Sequence, residues 1–272
     1  MQIDINKLTP MMKQYLEVKN RYKDCILFFR LGDFYEMFFE DALVASKALE
    51  IALTGKACGL EERAPMCGVP FHSANSYISK LVENGYKVAI GEQMEDPSTA
   101  KGIVRREVIR VITPGTVLDG NLLENKKNNY LLSLYKDGTN IGLTYVDIST
   151  GETNATCLNE DKVIEEIAKI HPTEIIINDL DFIEKLRDIA TVSNIYINES
   201  FSDNYLDINI LKEYFPDVYL QKLKFDDKGL IKSSWSILLK YIYNTQKQIT
   251  SNINNINIYN SSEYMVLDMF TR

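Results

Sequence analysis

Residues 25–38 read Cys-Ile-Leu-Phe-Phe-Arg-Leu-Gly-Asp-Phe-Tyr-Glu-Met-Phe, and no other stretch restricts the folding of this chain so tightly. Cys25–Leu31 is a continuous apolar run with one Arg, suited to a central strand, and Gly32-Asp33 can break it. If the chain past the break is extended, alternation turns Phe34 and Glu36 toward one face, about 6–7 Å apart. Two readings compete. The run can be a core strand entering an aromatic-rich helix start. Alternatively, Phe34 stays outside as a ring able to wedge between stacked bases, while Glu36 accepts a hydrogen bond from a base edge.

With 272 residues, 45% of them hydrophobic and 25% charged, the chain has room for two globular domains. It contains no apolar run of the roughly 18–20 residues that span a bilayer, and Met1-Gln2-Ile3-Asp4 lacks a signal peptide's basic flank. A cytoplasmic protein without membrane contact is expected, with Cys25, Cys58, Cys67 and Cys157 as reduced thiols. The net charge of -8 argues against nucleic acid until its distribution is considered. Residues 1–115 balance 15 Lys/Arg against 15 Asp/Glu, and residues 116–272 hold the whole deficit, 15 against 23. The balanced part also carries the basic run Lys101, Arg105, Arg106 and Arg110, which can meet phosphate or form an ordinary solvated strand edge.

Thr9-Pro10 opens a predicted helix to about Lys19, and Glu40–Leu49 and Ser73–Asn84 have helical stripes. Gly55–Gly68 and the following Val69-Pro70 read as a loop, since two prolines rule out a regular element. Tyr86–Gln93 and Arg106–Ile112 read as strands. Thr113-Pro114-Gly115-Thr116 fits a type II turn. The polar segment 117–129 marks a domain boundary. Beyond it come strands at Tyr130–Tyr135, Ile141–Asp147 and Glu152–Leu158, then a helix from Glu160, a strand at Glu174–Ile177, a helix near Phe182–Ile189 and a strand at Asn194–Ile197. Three meandering strands followed by alternating helices and strands is the plan of ribonuclease-H-like domains, though other α/β sheets share that order. Leu230–Tyr243, with Trp235, has helical spacing. Glu263–Arg272 starts a new element at the chain end, as expected of a piece of a longer protein.

Several motifs together resemble the MutS family of bacterial mismatch-repair proteins. They are Leu8-Thr9-Pro10-Met11-Met12-Lys13-Gln14-Tyr15-Leu16, the run Phe29–Phe38, Ala64–His72, Gly91-Glu92-Gln93-Met94-Glu95-Asp96-Pro97 and Val111–Thr116. The match is dense through residue 116, more diffuse after it, and returns at Leu267-Asp268 and Thr271-Arg272. One departure is Gly91, where the family usually has Cys. The resemblance implies a mixed α/β mismatch-binding domain at 1–116, a linker at 117–129, a ribonuclease-H-like connector domain at 130–262 and the start of a further domain at 263–272. It also implies that Phe34 stacks on a mispaired or unpaired base in kinked DNA while Glu36 hydrogen-bonds that base. Mismatched duplex DNA and a MutL-type repair partner, docked through the connector, are the implied partners. The chain contains no Gly-x-x-x-x-Gly-Lys-Ser/Thr, so it is expected to need no cofactor and to catalyse no reaction. ATP with Mg²⁺, and a homodimer, are expected of the full-length family protein, and a monomer of this piece.

Two enzyme-like readings are weaker. Asp147 at a strand end could be a nuclease's first metal carboxylate, but Asp179, Asp181, Glu184 and Asp188 look like helix-start and solvent-face charges. Cys58, Cys67 and His72 are loosely spaced for zinc and lack an evident fourth ligand. His171 reads as a helix-end residue.

Overall fold

A computed structural model describes residues 5–96, 102–117, 128–198, 206–223, 225, 229–247 and 251–260. The expected linker core (118–127), Lys101 and the expected new element at 263–272 lie outside the described residues. Contacts divide the chain into two units, Met1–Pro114 with Thr245–Lys247, and Gly115–Asn244 with Gln248–Arg272.

In the first unit, α1 (Pro10–Arg21) precedes β1 (Cys25–Leu31), β2 (Phe34–Phe38), α2 (Phe39–Leu49), β3 (Thr54–Lys56), β4 (Ala64–Pro70), α3 (Ala74–Glu83), β5 (Lys87–Gln93) and β6 (Arg106–Ile112). The sheet order is β3-β4-β2-β1-β5-β6, with β1 and β5 parallel and the other pairs antiparallel. Alternation sorts the side chains. Leu27, Phe29 and Phe38 pack with Met12, Tyr15 and Val18 of α1. Residues of opposite phase, such as Met37 and Cys67, lie toward α2, where the Cys67 thiol donates to Ala42 O at 3.6 Å. Tyr15 and Asp41 lock the layers together. The Tyr15 hydroxyl lies 3.0 Å from Asp41 Oδ2, which also accepts Leu27 N–H at 3.0 Å, while Lys19 Nζ meets Asp41 Oδ1 at 2.7 Å.

The stretch expected to be irregular, Gly55–Pro70, contains β3 and β4. The prolines do not forbid β4, because each borders a single neighbouring strand. Pro65 pairs only with Gly55 of β3, and Pro70 only with Phe34 of β2, so no ladder bond is needed on the other side. The expected type II turn is instead a 3₁₀ turn over Pro114–Thr116 in which Gly115 has no positive φ. Glycine is needed there for closeness. A Cβ would stand 2.8 Å from Leu131 Cδ1 and 2.9 Å from Glu174 Cβ.

The second unit runs β7 (Tyr130–Asp137), β8 (Asn140–Asp147), β9 (Thr153–Asn159), α4 (Glu160–Ile170), β10 (Glu174–Ile177), α5 (Leu180–Ser193), β11 (Tyr196–Asn198), α6 (Asn209–Tyr214), α7 (Asp217–Lys222), α8 (Leu230–Gln246) and β12 (Asn257–Ile258). Its sheet order is β11-β10-β7-β8-β9-β12. β7, β8 and β9 form an antiparallel meander, and β10 and β11 extend it in parallel. Leu131 and Ile176 face Trp235 and Leu238 of α8, whereas Leu132, Leu134, Ile175 and Ile177 face α4 and α5. Both sheet faces are covered, which explains the unbroken apolar run Ile175–Ile177.

Candidate nucleic-acid interface

Phe34 is the first residue of β2, directly after the two-residue turn Gly32-Asp33. Leu31 and Phe34 close the hairpin, and Gly32 takes φ +58° while Asp33 stays out of the left-handed region. Glycine at the first turn position suits the II′ geometry that matches strand twist. Phe71 N–H donates to Asp33 O at 2.9 Å and ties the turn to the end of β4. Phe34 therefore stands on backbone held from both sides, opposite Leu31 on β1 and Pro70 on β4. Even so, its ring is 47% exposed, while Tyr35 and Met37, on the opposite face of β2, are buried. The α1 side chain Tyr15 covers Phe29 and Phe38 edge-on, with ring centroids 5.4 and 5.0 Å away. Of the two readings left open by the sequence, the run is a core strand at Phe28, Phe29 and Phe38 and an outward ring at Phe34.

Glu36 lies on the face of Phe34, between Phe29 of β1 and Gly68 of β4. A Cβ at Gly68 would press to 3.2 Å from Tyr35 O and 3.4 Å from Glu36 Cγ, so glycine leaves that carboxylate its room. Lys56 of β3 donates to Glu36 Oε2 at 2.5 Å, and the two side chains are 33% and 16% exposed. Lys56 Nζ also lies 5.7 Å from the Phe38 ring centroid. The sequence contained no signal for this pair. Lys56 sat in a stretch read as loop, and its contact with Glu36 depends on strands that the prolines seemed to exclude.

On the other face, the Arg30 guanidinium stacks on Phe71 at 3.6 Å and lies 3.7 Å from Glu92. The Tyr35 hydroxyl donates to Glu92. Burial, reinforced by that carboxylate, pushes the Tyr35 phenol up to about 12.

The basic run is split. Arg105 has an exposed side chain 3.7 Å from Glu107. Arg106 is 7% exposed, and it donates to Arg30 O at 2.6 Å, Val104 O at 2.8 Å and Gln14 Oε1 at 3.2 Å, with Phe29's ring 5.2 Å away. Burial lowers its pKa. Its Nε and Nη1 are turned inward to Arg30, Val104 and Gln14. Arg110 is half-buried and lies across the sheet from Arg106. Gly91 pairs with Val108 and Ile90 with Arg110, so Ile109 is an extra residue that reverses the phase of β6.

The enzyme-like clusters do not assemble. Asp147 Oδ1 accepts Ser149 N–H at 2.8 Å and Thr150 N–H at 3.3 Å, and Oδ2 accepts Asn129 N–H at 3.1 Å, so this carboxylate organises a turn. Asp179 caps α5 through Phe182 N–H at 3.0 Å. Cys58 packs in the α1-side core, Cys67 lies toward α2, and His72 is exposed. His171 ends α4 with φ 52°. Among the described residues no group of three or more His, Cys, Asp or Glu could hold a metal ion, and no helix is long and apolar enough to cross a membrane.

Comparison with known proteins gives two contiguous matches, MutS domain I over residues 9–121 and MutS domain II over residues 129–257. The chain is 99% identical over 272 residues to the DNA mismatch repair protein MutS of Clostridioides difficile (strain 630), covering 100% of this chain and 29% of that protein. The MutS of Acetivibrio thermocellus is 53% identical over 274 residues, covering 97% of this chain and 31% of the relative. That of Alkaliphilus oremlandii is 52% identical over 283 residues, covering 98% and 32%. The chain thus spans about a third or less of the length of these relatives. With domains I and II matched in order and identity running through nearly every residue, the chain belongs to the MutS family.

Proposed function

We propose that the first unit reads mispaired or unpaired bases in duplex DNA, with Phe34 as the wedge and Glu36 as the hydrogen-bonding partner of the base. The observation that carries this reading is the exposed Phe34 ring on a strand paired on both sides, with Glu36 on the same face. An apolar ring held outside the core by rigid backbone can enter a base step without refolding the protein. A mismatch has already lost pairing and some stacking, so kinking there costs less of the several kcal/mol that bending a duplex requires. A carboxylate beside phosphates weakens binding to every sequence unless a base offers it a donor, which favours selectivity over affinity. Lys101, Arg105 and Arg110 are candidates for phosphate contacts. Arg106 instead braces the base of the reader hairpin through Arg30 O.

We read residues 1–116 as the mismatch-binding domain, 117–129 as linker, 130–262 as connector and 263–272 as the start of a further domain. The meander β7–β9 extended by parallel β10 and β11 supports a ribonuclease-H-like connector. Its acidity and the outward Leu180 and Val192 of α5, 64% and 88% exposed, suit docking of a MutL-type repair partner better than DNA. ATP and Mg²⁺ binding, homodimerisation and a cytoplasmic location belong to the same proposal for the full-length protein.

The test is a titration of full-length protein carrying this sequence with matched and G·T duplexes. Phe34→Ala should remove the preference for G·T, and Glu36→Ala should reduce that preference more than it reduces total affinity. Undiminished preference in Phe34→Ala would defeat the wedge.

A further inference from the structure

The carboxylate proposed to read the base is paired through one of its two oxygens. Lys56 reaches it from β3, donates to Oε2 at 2.5 Å and keeps two-thirds of its own side chain covered. Its ammonium also stands near the Phe38 ring, 5.7 Å from the centroid, on the face that carries Phe34 and Glu36. Gly68 leaves the space beside Glu36 Cγ unfilled, and no hydrogen bond from the described residues reaches Oε1.

We propose that Lys56 is the positioning residue of Glu36, a role that rests on the mismatch-reading assignment above. By holding Oε2 it fixes the side chain and leaves Oε1 to accept an N–H from the base. A carboxyl released from Lys56 could rotate. Its acceptor oxygen would then no longer stand at one position relative to the base, which weakens the selection. Lys56 thereby acts on selectivity through Glu36 rather than through a contact of its own with the bases.

The test uses the full-length protein with Lys56→Met, which keeps an apolar stem, Lys56→Arg, which keeps the charge, and Lys56→Met in a Glu36→Ala background. Each is titrated with matched DNA, a G·T duplex and a duplex whose mispaired thymine is replaced by an isostere lacking the N3–H. Lys56→Met should reduce discrimination between thymine and its isostere by about three- to tenfold, the net range of one ordinary hydrogen bond. Lys56→Arg should restore most of it, and Lys56→Met should have no further effect once Glu36 is Ala. A uniform loss on matched and mismatched DNA that persists in the Glu36→Ala background, with the salt slope falling by about one, would overturn the inference and make Lys56 a phosphate contact. Phe34→Ala, measured alongside, separates the two levels. If it abolishes G·T preference while Lys56→Met leaves isostere discrimination intact, only the role of Lys56 fails. If Phe34→Ala keeps the preference, the mismatch-reading assignment fails.

Discussion

Replacing Arg106 by Met keeps the alkyl stem over Phe29 and deletes three donors, those to Arg30 O, Val104 O and Gln14 Oε1. Hydrogen bonds from a charged group contribute about 1.5–3 kcal/mol each, and buried carbonyls left without donors add to the loss. Relief from burying a guanidinium at 7% exposure offsets part of this. The expected net destabilisation is about 2–3 kcal/mol. At roughly 4 °C per kcal/mol for a unit of this size, melting of the first unit should fall by about 8–12 °C. Scanning calorimetry of the 272-residue chain measures this, and hydrogen exchange should show faster opening of β1 and β6. Arg105→Met, on an exposed side chain, should shift melting by no more than about 2 °C, since surface pairs contribute little. Unchanged melting of Arg106→Met, together with weaker binding of full-length protein to every duplex, would refute the bracing role and return Arg106 to the phosphate contacts.

Gly91→Ala should stabilise the first unit by about 0.5–1 kcal/mol, because the new Cβ meets Phe28 O at 3.4 Å and Leu27 Cδ1 at 3.5 Å, both ordinary contacts, and the unfolded chain loses freedom. A lower urea midpoint for that variant would contradict it. Burial pushes the Cys25 thiol up to about 12 and the Cys67 thiol to about 11, from an ordinary value of 9.0. Both hold their protons more tightly when folded, so their contribution is fully present below about pH 9 and is lost as the pH rises toward 11–12. The urea midpoint should fall between pH 8.5 and 10.5, and a midpoint that stays level or rises over that interval would exclude this. The 272-residue chain alone should bind matched and G·T duplexes weakly at about 0.15 M salt, because one small reader surface must offset the whole bending cost. Sub-micromolar selective binding by the chain would show otherwise.

Where burial and period coincide, the elements were legible before the fold. Cys25–Leu31 and Arg106–Ile112 are strands with the expected limits, and the meander after residue 130 follows its Gly138 and Gly151 turns. That Phe34 and Glu36 share a face followed from alternation, once the chain past Gly32 was taken as extended, but that the Phe34 ring stays outside the core did not. What stayed hidden depended on neighbours. The prolines of β4 are permitted because each borders one strand, which only the assembled sheet reveals. One extra residue at Ile109 reverses the phase of β6, so residues spaced by four in a strand, Arg106 and Arg110, end on opposite faces. Lys56 escaped notice for the same reason, since its partner lies 20 positions away on another strand.

In the proposed reading Phe34 enters the duplex at the defect while Glu36 meets the displaced base. A structure of the full-length protein bound to a G·T duplex tests it most directly. The Phe34 ring should stack at about van der Waals distance on one mispaired base, with Glu36 Oε1 within hydrogen-bond reach of a base N–H. A G·T pair left stacked in unkinked DNA, with Phe34 in solvent or against the sugar-phosphate backbone, would contradict it.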